Sequence, residues 1–281
     1  DDRASVLDNP TIRSLGQALF PPGGTGVTVA GRPILNLSFA LNYAISGLDG
    51  WSYHALNLVI HVLSGLALFG LVRRTLARPP LAARFGEPAG WLALAIAGVW
   101  TLHPLQTESV AYLAQRAESL MGLFYLLTLY CFVRSADTAR PAAWYGLATT
   151  ACLLGMGTKE VMVSAPLMVL LHDRTFVAGS FAEAWRQRKA LYAGLASTWL
   201  LLACCMLGSS TRGGTAGFGL GLSSGAYALT QCRAIAIYLG LAIWPHPGVA
   251  DYGEGAADNL MAVLPQGLLL LLLVGATALG M

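Results

Sequence analysis

The sequence predicts an all-α polytopic membrane protein. Only 11% of residues are charged, against roughly 25% in soluble domains. Hydrophobic residues make up 56%, and the mean hydropathy is +0.60. Apolar runs close to the length of a bilayer crossing recur along the chain, separated by short polar loops. The bilayer rather than a large soluble core is therefore the solvent to which this chain is matched. No soluble domain and no internal repeat is visible, so residues 1–281 read as a single membrane-embedded domain whose first outer loop is 1–50.

The elements follow in order. Residues 1–50 are rich in Pro, Gly and Asn, and Pro33–Ile45 within them fits a short interfacial helix that starts on a proline. Tyr53–Val72 is a 20-residue run without a full charge, long enough to span. Trp91–Leu102 is an apolar run that leads into the polar segment His103–Glu118, and Leu120–Val133 returns. At helical spacing Glu108, Tyr112, Gln115, Arg116 and Ser119 share one face of that segment, while Gln106, Val110, Leu113, Ala117 and Leu120 share another. The pattern predicts one amphipathic helix lying on the membrane surface, its polar face turned to a cavity. Trp144–Thr158 and Val161–Leu171 flank Lys159-Glu160; as one helix the run would hold that doublet near its middle, whereas a break at Gly155 or Gly157 would place it at the outer membrane boundary. Asp173–Lys189 reads as a polar loop, Leu191–Leu207 as a span, and Ser209–Ser224 as a glycine-rich lid or linker. Ala226–Trp244 is helical, and Gln231 and Arg233 near its middle favour an interfacial or re-entrant course with the Asp251–Asp258 loop outside. Leu264–Leu279 is the last apolar run.

Charge sets the orientation. Loops 73–90, 134–142 and 173–190 hold ten basic and four acidic residues, a balance of +6, while the rest of the chain holds seven basic and ten acidic, a balance of −3; together they give the net +3. By the positive-inside rule these three loops face the cytoplasm. The segments 1–50, 103–118, 158–160 and 209–225 then face outward. The start at Asp1-Asp2 without a methionine is expected of a fragment whose first membrane helix lies upstream. Fifteen of the 17 basic residues are Arg, which points to a GC-rich bacterial genome and hence to a bacterial inner membrane rather than an endoplasmic reticulum. The five cysteines form no CxxC pair and lie mostly in apolar runs, which argues for packing over a zinc site or a disulfide framework.

The outward segments collect the polar residues that apolar surroundings make costly. Asp1 and Asp2 offer carboxylates in an outer loop, one of which can act as a general base if a hydroxyl comes within hydrogen-bond reach. Lys159 and Glu160 either neutralise each other or leave Lys159 to pair with a lipid phosphate. Arg32-Pro33 with Asn36 either binds an anion or caps a helix. His54, Asn57 and His61 share a helix face, which either lines a cavity or makes inter-helix hydrogen bonds. Arg212-Gly213-Gly214 is no phosphate loop, because neither GxxxxGK[ST] nor GxGxxG follows a strand.

Four segments together resemble a known family. They are Asp1-Asp2-Arg3 with Asp8-Asn9-Pro10, Gly31-Arg32-Pro33-Ile34 with Asn36, His103-Pro-Leu-Gln-Thr-Glu108 through Arg116-Ala-Glu118, and Thr158-Lys159-Glu160; Trp244-Pro-His-Pro247 with Asp251-Tyr252 adds to them. The chain resembles the GT-C fold glycosyltransferases of the protein O-mannosyltransferase type, in the branch joined to tetratricopeptide repeats. The resemblance implies a GT-C helical bundle with interfacial helices on the outer face. It implies transfer of a hexose such as mannose from a polyprenyl- or dolichyl-phosphate donor to a protein Ser or Thr hydroxyl, with inversion. Asp1 would be the base with Asp2 in support. Arg116, Lys159, His103 and Arg32 would hold the departing lipid phosphate, with Glu108, Glu118 and Glu160 placing sugar hydroxyls or basic partners. A divalent cation stays open, since no secure ligand set is present. The implied partners are the lipid-linked sugar, the protein acceptor and membrane lipid, with no nucleic acid. A transporter or flippase of a lipid-linked saccharide is the rival reading; it predicts pseudo-symmetric halves. A plain membrane anchor leaves Glu108, Arg116, Lys159 and Glu160 without a role.

Overall fold

The computed structural model describes residues 2–22, 28–208, 223–246, 255, 257 and 259–280. These fall into two compact units, Asp1–Gly213 and Gly214–Met281. The described secondary structure is helical, and no strand occurs among these residues. Among the described residues six helical stretches are long and apolar enough to cross a membrane: Trp51–Leu76, Arg116–Ala136, Glu160–Ala178, Phe181–Met206, Ser224–Ile243 and Leu260–Leu279. The chain is an integral, polytopic, all-α membrane protein.

The first unit opens with short turns at Arg3–Leu7, Pro10–Arg13 and Gln17–Leu19, then α1 (Pro33–Ser46). They form a core of their own, with Ile12, Ala18, Leu35, Phe39 and Tyr53 nearly or wholly buried. Two asparagines knit it together. The Asn9 side chain accepts from the Thr11 amide at 3.0 Å and donates to the Asn36 Oδ1 at 2.8 Å, while the Asn36 amide donates to the Ala18 carbonyl at 2.8 Å. Buried polar groups of this kind are stable only when their hydrogen bonds are made.

The membrane bundle follows. α2 (Trp51–Leu76) packs against α4 (Ala89–Leu102) and α6 (Arg116–Ala136), with the short helices α3 (Pro79–Phe85) and α5 (Thr107–Ala111) in the connections. α6 packs on α7 (Ala142–Met156), and α7 on α9 (Phe181–Gly208), with α8 (Ala165–Asp173) against α6 and α9. The main core lies among α6, α7, α8 and α9, where Phe132, Val133, Cys152, Met162, Val169 and Leu195 are sealed from solvent. Cys131 and Cys152 pack there as free thiols, as the apolar context predicts.

The expected polar loop over Asp173–Lys189 is largely helical. After α8 the chain makes one wide turn, Arg174–Ala178, and reverses at Gly179, whose φ of 77° suits glycine. α9 then begins at Phe181 and kinks at Arg188, whose φ of −129° and ψ of 34° leave the helical region. The kink turns the Arg188 guanidinium inward, where it donates to both oxygens of the wholly buried Asp173 at 3.0 and 3.1 Å. The Tyr192 hydroxyl adds a 2.5 Å bond to the same carboxylate. Two of the charges that the sequence places in solvent are thus a buried ion pair.

The second unit contains α10 (Ser224–Ile243), whose first turn is capped by Ser223, and α11 (Leu264–Gly280). α10 is unbroken and has the length and composition of a span. The Arg233 guanidinium donates to the Gly255 carbonyl at 2.8 Å. Residues 209–222 and most of the Asp251–Asp258 loop lie outside the described residues.

Removing one member of a buried ion pair strands the other. Asp173→Ala is expected to lower stability by about 3–5 kcal/mol. Asp173→Ala combined with Arg188→Met should recover most of that loss in detergent unfolding followed by circular dichroism.

Candidate active site

The polar segment after α4 is not one helix. His103 has an extended backbone, and its Nδ1 accepts from the Leu105 amide at 3.3 Å, capping a 3₁₀ turn at Pro104–Gln106. α5 continues for one turn and stops at Tyr112, whose φ of −103° and ψ of 120° are extended. α6 then starts at Arg116. The single surface helix expected over 103–118 is replaced by two short turns and the head of a spanning helix. A uniform 3.6-residue period cannot register the break, because Tyr112 and Arg116 stay in phase by spacing while the backbone between them turns.

The break is held from a distant part of the chain. The Asp2 carboxylate accepts the Ala114 amide at 2.7 Å, just before the α6 N-terminus, where orphan amides and the helix dipole favour negative charge. Glu118 lies in the first turn of α6 for the same electrostatic reason. Glu108 accepts from the Gln115 amide group at 3.4 Å. The Tyr112 phenol is held above its ordinary value by partial burial and then by the Asp2 and Glu108 carboxylates, which flank it. Asp1 lies outside the described residues.

Arg116 is placed differently from its expected role. Its side chain is wholly buried. Nε donates to the Asn57 Oδ1 at 2.7 Å, Nη1 to the Asn42 Oδ1 at 2.6 Å and the Ser38 carbonyl at 3.3 Å, and Nη2 to the Tyr53 carbonyl at 2.9 Å. The guanidinium carbon lies 4.6 Å from the Phe39 ring centre and 5.7 Å from that of Tyr53. No carboxylate pairs with it among the described residues. A cation so enclosed has its donors committed and does not reach a bound phosphate. It ties α6 to α1 and α2. Ser38 and Asn42, one turn apart on α1, are the acceptors that sequence reading missed. Their signal is polar residues at i and i+4 on an otherwise apolar helix facing a lone arginine. Asn57 and His61, which the sequence placed on one face, make inter-helix bonds, His61 to the Thr101 carbonyl at 2.9 Å.

The Lys159-Glu160 doublet sits at a helix break. α7 ends at Met156, and Lys159 is extended, with φ −159° and ψ 145°. Successive side chains of an extended backbone point to opposite sides. Lys159 therefore pairs with Glu118, and Glu160 with Arg32 at 3.3 Å. Arg32 is aimed by the turn at Gly31, whose φ is 69°, and by its own bond to the Thr28 carbonyl at 2.8 Å. The Ile34 amide donates to the Gly157 carbonyl at 3.0 Å, and a Cβ on Gly157 would meet the Ile34 side chain at 2.6 Å. Only glycine lets these backbones approach so closely.

Four contacts thus tie the three segments together: the Ala114 amide to Asp2, Gln115 to Glu108, Lys159 to Glu118 and Arg32 to Glu160. His103 stays on the same segment as a cap, and Arg116 lies beneath as a brace. Among the described residues no three His, Cys, Asp or Glu side chains gather as a metal ligand set.

Sequence comparisons find relatives of this chain. The chain is 30% identical over 191 residues to the protein O-mannosyl-transferase Tmtc2 of Drosophila melanogaster, covering 62% of this chain and 19% of that one. To TMTC2 of Mus musculus it is 36% identical over 125 residues, 43% of this chain and 14% of the relative. To TMTC3 of Homo sapiens it is 25% identical over 167 residues, 56% and 17% respectively. The resemblance read from the four segments is borne out: the chain is related in sequence to the tetratricopeptide-associated protein O-mannosyl-transferases. It spans under a fifth of the length of these three curated relatives. They are animal proteins, which does not favour the bacterial inner membrane expected from composition. No family model and no solved structure matches.

Arg116→Met would leave buried acceptors on Asn42, Asn57 and Tyr53 without a donor, each costing about 1–3 kcal/mol. The variant should unfold at lower temperature and become cleavable by protease between Pro104 and Tyr112. Arg116→Lys, which keeps the charge but loses the planar fork, should fall between it and wild type.

Proposed function

We propose that the chain is the membrane-embedded part of a GT-C type glycosyltransferase. In this reading it moves a hexose, mannose by analogy with the relatives' names, from a polyprenyl- or dolichyl-phosphate to a Ser or Thr hydroxyl at the outer membrane face. The observation that carries the reading is the joining of Asp2, the 103–118 segment and Lys159-Glu160, all in segments that the charge distribution turns away from the cytoplasm.

The acceptor hydroxyl oxygen attacks the anomeric carbon from the side opposite the phosphate, so the configuration inverts. Its proton goes to a carboxylate of the Asp1-Asp2 pair, with Asp1 as base. Asp2, fixed by the Ala114 amide, positions its neighbour. The bond between the anomeric carbon and the phosphate oxygen breaks, and the electron pair leaves with the lipid phosphate. Lys159 and Arg32 stabilise that leaving charge, each exchanging or sharing a glutamate for phosphate oxygens. Glu118 and Glu160 hold the two cations in place before the donor arrives. Glu108 and His103 lie on the same segment, within the region assigned to the sugar and phosphate. Arg116 is removed from the phosphate contacts and becomes a positioning residue, since it braces the segment carrying Glu108 and Glu118.

The test uses full-length protein in proteoliposomes with polyprenyl-phosphate mannose and acceptor peptides. Asp1→Asn should lower transfer by about 10²–10⁴-fold, the range for loss of a general base. Lys159→Met should lower it with little change in thermal stability relative to Arg116→Met. Undiminished transfer by Asp1→Asn would remove that residue from the base role, and lipid-linked sugar flux without transfer would favour a transporter.

A further inference from the structure

On the arginine-rich face of the first unit, well away in sequence from the proposed transfer site, lies a cavity of about 470 Å³. Arg73, Arg74, Arg78 and Asp137 line it, with Gly86, Ala89 and Gly90 opposite. Arg73 and Arg74 end α2, and Ala89 and Gly90 begin α4, so an N-terminal helix turn faces the same space. Three guanidinium groups and one carboxylate line the cavity, a local balance of +2. Asp137 accepts from Arg74 at 2.8 Å and from Arg78 at 2.7 Å, and Arg78 also donates to the Val133 carbonyl at 3.0 Å. These bonds fix two of the arginines in place. The Arg78 Nε is buried without a hydrogen-bond acceptor among the described residues. Arg73 is exposed and makes no ion pair among them; its guanidinium lies 5.9 Å from the Phe69 ring centre. Gly90 has open space where a Cβ would stand.

Like charges are not gathered and held by one carboxylate without a cost that a bound anion would relieve. We propose that this cavity binds a phosphate group, the headgroup phosphate of an anionic membrane lipid or a free phosphate of the same chemistry. Guanidinium forks match phosphate oxygens two at a time, and the first turn of α4, whose Ala89 amide is bonded to the Gly86 carbonyl, adds the positive end of a helix dipole at Gly90. The volume is in the range of ligand sites. Both helix ends belong to loop 73–90, on the face that the charge count turns to the cytoplasmic leaflet, where anionic lipids collect.

The experiment titrates full-length protein in neutral detergent with dioleoyl phosphatidylglycerol or dioleoyl phosphatidylcholine, read by native mass spectrometry, and with radiolabelled inorganic phosphate by equilibrium dialysis. Phosphatidylglycerol should bind more tightly than phosphatidylcholine. Arg73→Gln, an exposed change that removes no ion pair seen here, should weaken it about fivefold, the attraction of one arginine to an anionic surface. Asp137→Asn removes the internal competitor and should tighten it. Saturable phosphate binding with the same dependence on Arg73, but no preference for phosphatidylglycerol, would support the site and assign it a soluble ligand. Affinities for both probes that Arg73→Gln leaves unchanged would overturn the proposal.

Discussion

The arrangement of the segments around Asp2, Glu118 and Lys159 depends on one buried cation. Arg116 stands at the first residue of α6 and takes its acceptors from α1 and α2. A guanidinium without a carboxylate is expensive to bury, and here neutral oxygens and two aromatic faces carry the cost. That choice has a geometric effect. A carboxylate partner would satisfy one edge of the fork, whereas oxygens from Ser38, Asn42, Asn57 and Tyr53 surround it. The three elements are then fixed in mutual position. The acidic segment before α6 inherits that position, because Asp2 can reach Ala114 only if α6 begins where it does.

The same logic runs through the stretch before α2. Asn9 and Asn36 give an irregular stretch a network of its own, so that Arg32 emerges from an ordered turn. The contact of Ile34 with Gly157 locks that turn to the break after α7. The extended residue at 159 then divides two opposite charges between two different elements. Each ion pair is partly exposed and contributes little to stability alone. Their value is in orientation, because a helical Lys-Glu pair would have splayed both side chains about 100° apart around one axis instead of sending them to opposite sides.

Most spans were legible because a charge-free run of bilayer length has few other readings. Trp51–Leu76 contains the predicted Tyr53–Val72, and Pro33–Ser46 contains Pro33–Ile45. The sequence left the run around Lys159 open between one continuous helix and a break at Gly155 or Gly157, and the break is the arrangement found. The polar helix over 103–118 was misread because periodicity carries no information about Tyr112, whose extended backbone serves a tertiary contact with Asp2. The depth of Arg116 was hidden for a related reason: its acceptors come from 59 to 78 residues away, and each of them is unremarkable alone. Counting charges by loop likewise treats Asp173 and Arg188 as solvated, although 15 residues of intervening chain bring them together in the interior.

The bend in α9 also settles a matter of length. Phe181–Gly208 contains 28 residues, and as one straight rod it would run about 42 Å. That exceeds the hydrocarbon thickness of a typical membrane by roughly 12 Å. With the axis redirected at Arg188, the portion from Lys189 onward measures about 30 Å, equal to that thickness. The leading turns before the kink carry Glu183, Arg186 and Gln187, which bond among themselves. A single inward-facing arginine thereby trims an overlong helix to fit its solvent.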